Sequence, residues 1–363
     1  LVYPEEYGGG GGSFIDLAVL YEEIGRAMLP APHLSTVVLG GLTVLEAGSD
    51  AQKSEILPQI VDGKRIIAMA LTEPESSWEG KAWDPEGVTV SATAAGNDYV
   101  IDGTKLFVHD AVPADTLLVV TRTKTGGDPA AGITLFLVDA KSPGITITAL
   151  ETLAGDKQCE VVFDKVKVSK DNVLGEVNGG WAPLAKSIKI GAVALSAQML
   201  GAGQKLLEMT VDYAKTRIQF DMPIGINQYV QEHCVLLLRD VNGCRWTTYL
   251  AAWKLTEGES ADFDVAVAKA WSSDAHERAC WRAHQVHGGV GYTVNDGTLP
   301  LYSRRGKAMQ LYLGDTPYYK EKIAQELENW PAPERPQGAA LGLWDEVRDS
   351  WIPEWWDYFD KGD

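Results

Sequence analysis

Five short stretches of the 363-residue chain carry side chains capable of chemistry: LTEP (71–74), GTKLFVHDA (103–111), RIQFDMPIG (217–225), QVHGGVGYT (285–293) and QLYLGDTP (310–317). Taken singly, each has a plain structural use. Glu73 suits a brace for its own turn, and Phe107 suits the core of a barrel. Arg217, near a helix C-terminus, complements the helix dipole. The Gly-Gly-x-Gly run at 288–291 suits a turn at a helix end. It is not a G-x-G-x-x-G run after a strand, which disfavours a Rossmann nucleotide site. His287 follows an apolar helix face and reads as structural. In QLYLGDTP an apolar Leu313 lies between Tyr312 and Gly314, with Asp315 just after, and a leucine can take no proton.

The elements that must position these residues follow from periodicity. Apolar residues recur at helical spacing over 14–28, 34–46 and 50–61, the last with Asp50 as N-cap. After Arg65 the chain becomes rich in Val, Ile and Thr between Gly, Asn, Asp and Pro. IIAMALTEP (66–74), GVTVSATAAGNDYVIDGTKLFV (87–108), TLLVVTRTK (116–124), GITLFLVD (132–139), ITITALETL (145–153) and CEVVFDKVKVS (159–169) read as strands of a small barrel or sandwich. Helical spacing returns in one long segment to Arg217, then over 228–257, 264–287 and 318–329. The order of helices, strands and helices argues for separate domains. The expected boundaries are 1–65, 66–172 and 173–330, with a tail at 331–363. That tail opens on a linker composition and then sets four tryptophans among acids; it suits either a wrap on its own domain or a docking segment for another subunit.

Composition bounds the function. A net charge of −18 argues against nucleic acid, where a basic patch supplies most of the affinity. No apolar run is long enough to span a membrane. Cys159, Cys234, Cys244 and Cys280 form no CxxC pair, which argues against a zinc site of the usual spacing and for a reducing compartment, the cytoplasm. The opening LVYPEEYGGGGG reads as the end of something, so residues are expected before Leu1.

Together, in this order and on this helix–strand–helix plan, the motifs resemble the acyl-CoA dehydrogenase family over nearly the whole chain, the tail excepted. The resemblance implies an α+β fold: N-terminal helices, a middle β-barrel and a C-terminal four-helix bundle. It implies FAD as cofactor, an acyl-CoA thioester as substrate and an electron-transfer flavoprotein as acceptor. It also implies site residues. Leu71 and Thr72 would offer backbone and hydroxyl groups to the polar edge of the flavin ring. Phe107 falls where the family has an aromatic residue against the flavin, and His109 where it commonly has Thr. Arg217 would reach the pyrophosphate of an FAD held by a neighbouring subunit, with Phe220 beside it, because a guanidinium fork suits phosphate oxygens. Gln285, Gly288 and Gly289 would line that same FAD. Each FAD is then shared between two chains, and an oligomer is implied.

The resemblance also says where a base belongs. Desaturation removes an α-proton and a β-hydride; the flavin takes the hydride and a carboxylate takes the proton. Leu313 matches the family's usual glutamate. Some members carry the base on the long helix instead, and there the matching position is Gly191, with Ala192 at the arginine that follows it and Lys189 at that arginine's acidic partner. The substrate-contacting small residue after TEP falls at about Trp78. Asp315 is the nearest unaligned carboxylate, ahead of Asp110 and Glu79. The flavin side of the pattern is largely kept and the substrate side is largely gone. The expected function is therefore an FAD-binding subunit for α,β-desaturation of an acyl-CoA, acting as the base-lacking partner in a heteromer with a homologous subunit. One alternative is a homo-oligomeric dehydrogenase with an unconventional base. Another is a non-enzymatic scaffold, against which the retained Arg217, Gln285, Gly288 and Gly289 argue.

Overall fold

The computed structural model describes residues 1–76, 81–293 and 298–328; the tail, Trp78 and Glu79 lie outside the described residues. By its contacts the chain divides into Leu1–Ala324 and Gln325–Asp363. Three helical stretches come first: α1 (Phe14–Ala27), a π-helical segment Leu34–Gly41 that runs straight into α2 (Leu42–Ala47), and α3 (Asp50–Val61). The N-cap of α3 is Ser49 rather than the expected Asp50. Its side chain accepts from the Gln52 N–H while Gln52 returns the bond, a capping box that an aspartate one residue later does not complete.

The middle of the chain is all-β: β1 (Ile67–Ala70), β2 (Ser91–Ala95), β3 (Asp98–His109), β4 (Thr116–Arg122), β5 (Ile133–Asp139), β6 (Ile145–Ala149), β7 (Gln158–Ser169) and β8 (Val173–Leu174). The ladder runs β6-β7-β3-β2-β4-β5-β8, and β1 adds in parallel to β4. The β2–β4 step rests on one register pair, Ser91↔Arg122. The two halves of the sheet face each other across it, so that Tyr99 of β3 meets Phe136 of β5 edge-on at 5.1 Å. The side-chain period of 2 explains why β4 reads as a continuous apolar run. Leu117 and Val119 fill the space inside the folded sheet, while Leu118 and Val120 join the core of the helices.

The long helix α4 (Trp181–Thr216) is followed by a small hairpin, β9 (Ile218–Gln219) and β10 (Met222–Pro223). Then come α5 (Gln228–Glu257), α6 (Asp262–His287), α7 (Thr298–Leu311) and α8 (Thr316–Glu328). Helices α4, α5 and α6 pack on one another, and α1 lies on α4. The α1–α4 approach is close because both helices present glycine. A Cβ on Gly25 would sit 1.8 Å from the Gln198 carbonyl, and one on Gly201 would sit 1.7 Å from that of Glu22. The helix α7 was not expected from the sequence.

Candidate functional site

The LTEP loop is fixed to β3 from inside. Glu73 and Lys105 are fully buried, and their charges meet at 2.6 Å. The ammonium also donates to the Leu71 carbonyl at 3.0 Å. The carboxylate accepts from the Thr89 N–H at 2.8 Å and the Val90 N–H at 3.0 Å. Glu73 therefore braces more than its own turn; it ties the loop to β3 and to the segment that leads into β2. Beside it the Thr72 carbonyl accepts from the Leu106 N–H at 2.8 Å, and the Thr72 hydroxyl donates to the Leu106 carbonyl. This pairing is possible because β3 and β7 lose register between Lys105 and Val108. At that bulge Phe107 has φ +55°, which turns its side chain out of the alternating pattern.

His109 ends β3, and its ring lies on that of Tyr312, with centroids 3.8 Å apart and planes 30° apart. Burial draws its pKa below the ordinary histidine value, so the imidazole is neutral at pH 7. Tyr312 also meets Trp83 edge-on at 5.5 Å. Asp110 follows with φ +59°, and its Oδ2 accepts from the Ser35 hydroxyl at 2.5 Å.

QLYLGDTP is the turn between α7 and α8. Leu313 and Gly314 both have positive φ, +60° and +104°. The turn is held from below by Lys269, whose buried ammonium donates to the Gln310 carbonyl at 2.9 Å and the Gly314 carbonyl at 2.7 Å. The Tyr319 hydroxyl donates to the Leu313 carbonyl at 2.7 Å. The Leu313 side chain is fully buried and points at α4. A Cβ on Gly191 would lie 2.7 Å from Leu313 Cδ1 and 3.0 Å from Leu39 Cδ2. The two positions expected to carry a base thus meet at one point, and hydrocarbon fills it. Ala192 is buried, and Lys189 pairs with Asp262. Asp315 points elsewhere: its Oδ1 accepts from the Tyr318 N–H at 3.1 Å and caps the start of α8.

Next to this point is a cavity of about 160 Å³, with an apolar wall that includes Leu34, Leu195 and Met309 and a polar side that includes Asp110, Lys157 and Arg305. Ligand pockets for drug-sized molecules run to about 300–1,000 Å³, so this cavity is the smaller. Asp110 lines this cavity and Asp315 does not. Spacing alone gave no means of ranking Asp110 ahead of Asp315, because the two are brought to the site by different elements.

The remaining residues gather far away. Arg217 caps the C-terminus of α4, its N–H bonded to the Tyr213 carbonyl at 2.8 Å. It is exposed, and its guanidinium has no carboxylate partner among the described residues. Phe220 and Asp221 turn the hairpin with φ +52° and +63°, and Phe220 is 94% exposed. At the end of α6, Gln285 is exposed and Gly288 has φ +61°; a Cβ at Gly288 or Gly289 would meet nothing within 4 Å. Tyr213 and His287, stacked at 4.3 Å, bring the two helix ends together.

Two helices measure the separation of this outer group from the inner one at Leu71, Thr72, Phe107, His109 and Leu313. Along α4, Arg217 lies 26 residues beyond Gly191, about 39 Å at the helical rise. Along α6, Gly288 lies 19 residues beyond Lys269, about 28 Å. The two groups therefore stand toward opposite ends of α4 and α6. The residues fit the cofactor unequally. The outer group offers an unpaired guanidinium and open glycine backbone, as a diphosphate requires. In the inner group the Leu71 carbonyl and the Thr72 carbonyl and hydroxyl are already engaged within the chain.

The chain matches the acyl-CoA dehydrogenase N-terminal domain over residues 1–64, the middle domain over 68–166 and the C-terminal domain over 178–328. It is 32% identical over 329 residues to the 3-(aryl)acrylate reductase of Clostridium sporogenes, covering 89% of this chain and 85% of that one. Among solved structures it is similar to butyryl-CoA dehydrogenase from Megasphaera elsdenii, with a TM-score of 0.83 and 28% identity over 90% of this chain and 86% of that one. It is also similar to a chain of the ChsE4-ChsE5 complex from Mycobacterium tuberculosis, with a TM-score of 0.80 and 29% identity over 91% and 84%. The protein belongs to the acyl-CoA dehydrogenase family, flavoprotein oxidoreductases that use FAD and act on acyl-CoA.

Proposed function

We propose that this chain is the FAD-completing partner in a heteromeric acyl-CoA dehydrogenase, and that a homologous chain supplies the flavin-ring face and the base. One observation carries this reading: the outer group is open to a neighbour, while the point where the positions expected to carry a base meet is filled by the chain's own Leu313 and Leu39. Arg217 would hold the phosphates of the neighbour's FAD by charge-assisted hydrogen bonds, and Phe220 would cover it. When bound, FAD supplies the hydride acceptor. The partner's base takes the α-proton, because Leu313 and Gly191 offer none. That the related ChsE4-ChsE5 structure holds two different chains supports the arrangement. Electron-transfer flavoprotein is the acceptor proposed, on family membership. The proposed compartment is the cytoplasm, on four unpaired cysteines; no described helix is long and apolar enough to cross a membrane.

The test is flavin titration of the purified chain. The reading expects no stoichiometric FAD in the lone chain, and FAD recovered on addition of a family member with glutamate at the Leu313 position. Asp110 in the cavity wall favours a second reading, a self-sufficient enzyme with that carboxylate as base. It expects turnover by the lone chain that Asp110→Asn lowers by about 10²–10⁴.

A further inference from the structure

The outer group continues onto an exposed face of α5 and α6. In its middle the buried carboxylate of Asp240 receives three arginines: Arg239 at 2.9 Å, Arg278 at 3.1 Å and Arg282 at 2.8 Å. One negative charge against three positive leaves a local surplus, in a chain whose net charge is −18. Among the described residues, Asp240 is the only carboxylate that pairs with these arginines. Asp274 acts on Arg278 but holds Thr316 and Lys320. The Nε of Arg282 and both ring nitrogens of His233 are buried without a hydrogen-bond partner among the described residues. Arg239 is half exposed, so the cage opens outward.

Tryptophans flank the cage. Trp246 is 72% exposed and Trp281 55% exposed. Trp271 lies across Gly243, where a Cβ would be 2.3 Å from its Nε1. Trp281 stands one helical turn before Gln285 of the outer group, so the face is continuous with it. Exposed tryptophan with arginine is the composition of binding hot spots.

We propose that this face docks a different chain of the same fold that presents a carboxylate to the arginine cage, and that the cage prevents the chain from pairing with itself there. The proposal rests on the partner role given above. In a two-fold pairing the same patch meets itself. Because the cage lies between the tryptophans, such a pairing sets surplus positive charge against surplus positive charge, and like charges across an interface select against the wrong partner.

The test is sedimentation equilibrium of the full chain alone at low ionic strength, where screening is weak. Wild type is compared with Arg239→Gln/Arg278→Gln, which leaves Arg282 alone on Asp240. The expected result is a monomeric wild type and a neutralised variant that dimerises at least tenfold more tightly, with Trp281→Ala returning it to monomer. Arg239→Gln alone keeps two arginines on Asp240 and serves if the double variant does not fold, with the same direction expected. Variants no tighter than wild type, or a gain unaffected by Trp281→Ala, overturn the proposal. Flavin absorbance of the same samples separates the two ideas. A lone wild type that carries FAD refutes the partner role. A flavin-free wild type whose neutralised variants stay monomeric refutes only the cage.

Discussion

The Leu313 side chain is part of the core. Its Cδ1 lies where a Cβ on Gly191 would clash. Leu313→Ala is expected to cost about 2–5 kcal/mol by opening a cavity, and Gly191→Ala about 1–3 kcal/mol by overpacking. Because the two atoms share one space, the double variant should be more stable than the sum predicts, with coupling of about 0.5–3 kcal/mol; denaturant midpoints of the four proteins measure it. Additive losses would mean that the two side chains do not compete. Beneath the same turn, burial pulls the pKa of Lys269 down to about 7, against the attraction of Asp315. An unfolded lysine titrates near about 10.4. Between these values the unfolded chain binds the extra proton, so stability from this group rises with pH from 7 to about 10 and is flat below 7. The melting temperature of wild type should therefore gain on that of Lys269→Met across that interval; a constant difference would contradict it. That Leu313 carries no carboxylate was legible in the sequence, since a single motif contains it. The support from Lys269 was not: a lysine within a helical repeat reads as surface until the turn is folded over it.

Among the elements, β3 does the most positioning. Its bulge at Phe107 and its buried Lys105 hold the LTEP loop through Glu73. Breaking this pair leaves an uncompensated buried charge, so Lys105→Met is expected to cost about 3–5 kcal/mol in urea unfolding. A loss under about 1 kcal/mol would place the pair in contact with water. The strands here were readable as elements, but not their ends. The expected strand over 66–74 stops at Ala70, because LTEP bonds to the β3 bulge instead of a neighbouring strand. The helix α7 is not legible in the sequence for a related reason. TLPLYSRRGKAMQL carries no broad apolar stripe, and tertiary contacts hold the segment. The Tyr302 hydroxyl donates to the Arg26 carbonyl at 2.6 Å, and Gly306 lets His276 approach. Pattern reading finds helices that are amphipathic along their own length and misses those that neighbours complete.

Over the whole molecule, the geometry that matters is the separation of two groups that one FAD would have to join. The sequence showed both sets of residues and their order, but only α4 and α6 as rulers show that they stand at opposite ends. Arg217→Ala should therefore leave the stability of the chain within about 0.5 kcal/mol of wild type, since the side chain is exposed and has no carboxylate partner among the described residues. The same change should weaken FAD retention in the assembled complex by at least tenfold, as read by flavin release on dilution. The most direct measurement is acyl-CoA-dependent bleaching of flavin absorbance in three samples: this chain alone, a homologue with glutamate at the Leu313 position alone, and the two together. This chain alone is expected neither to hold FAD nor to bleach, the mixture to do both, and Arg217→Ala in this chain to lower the gain at least tenfold. Stoichiometric FAD on the lone chain that bleaches with an acyl-CoA would contradict this expectation.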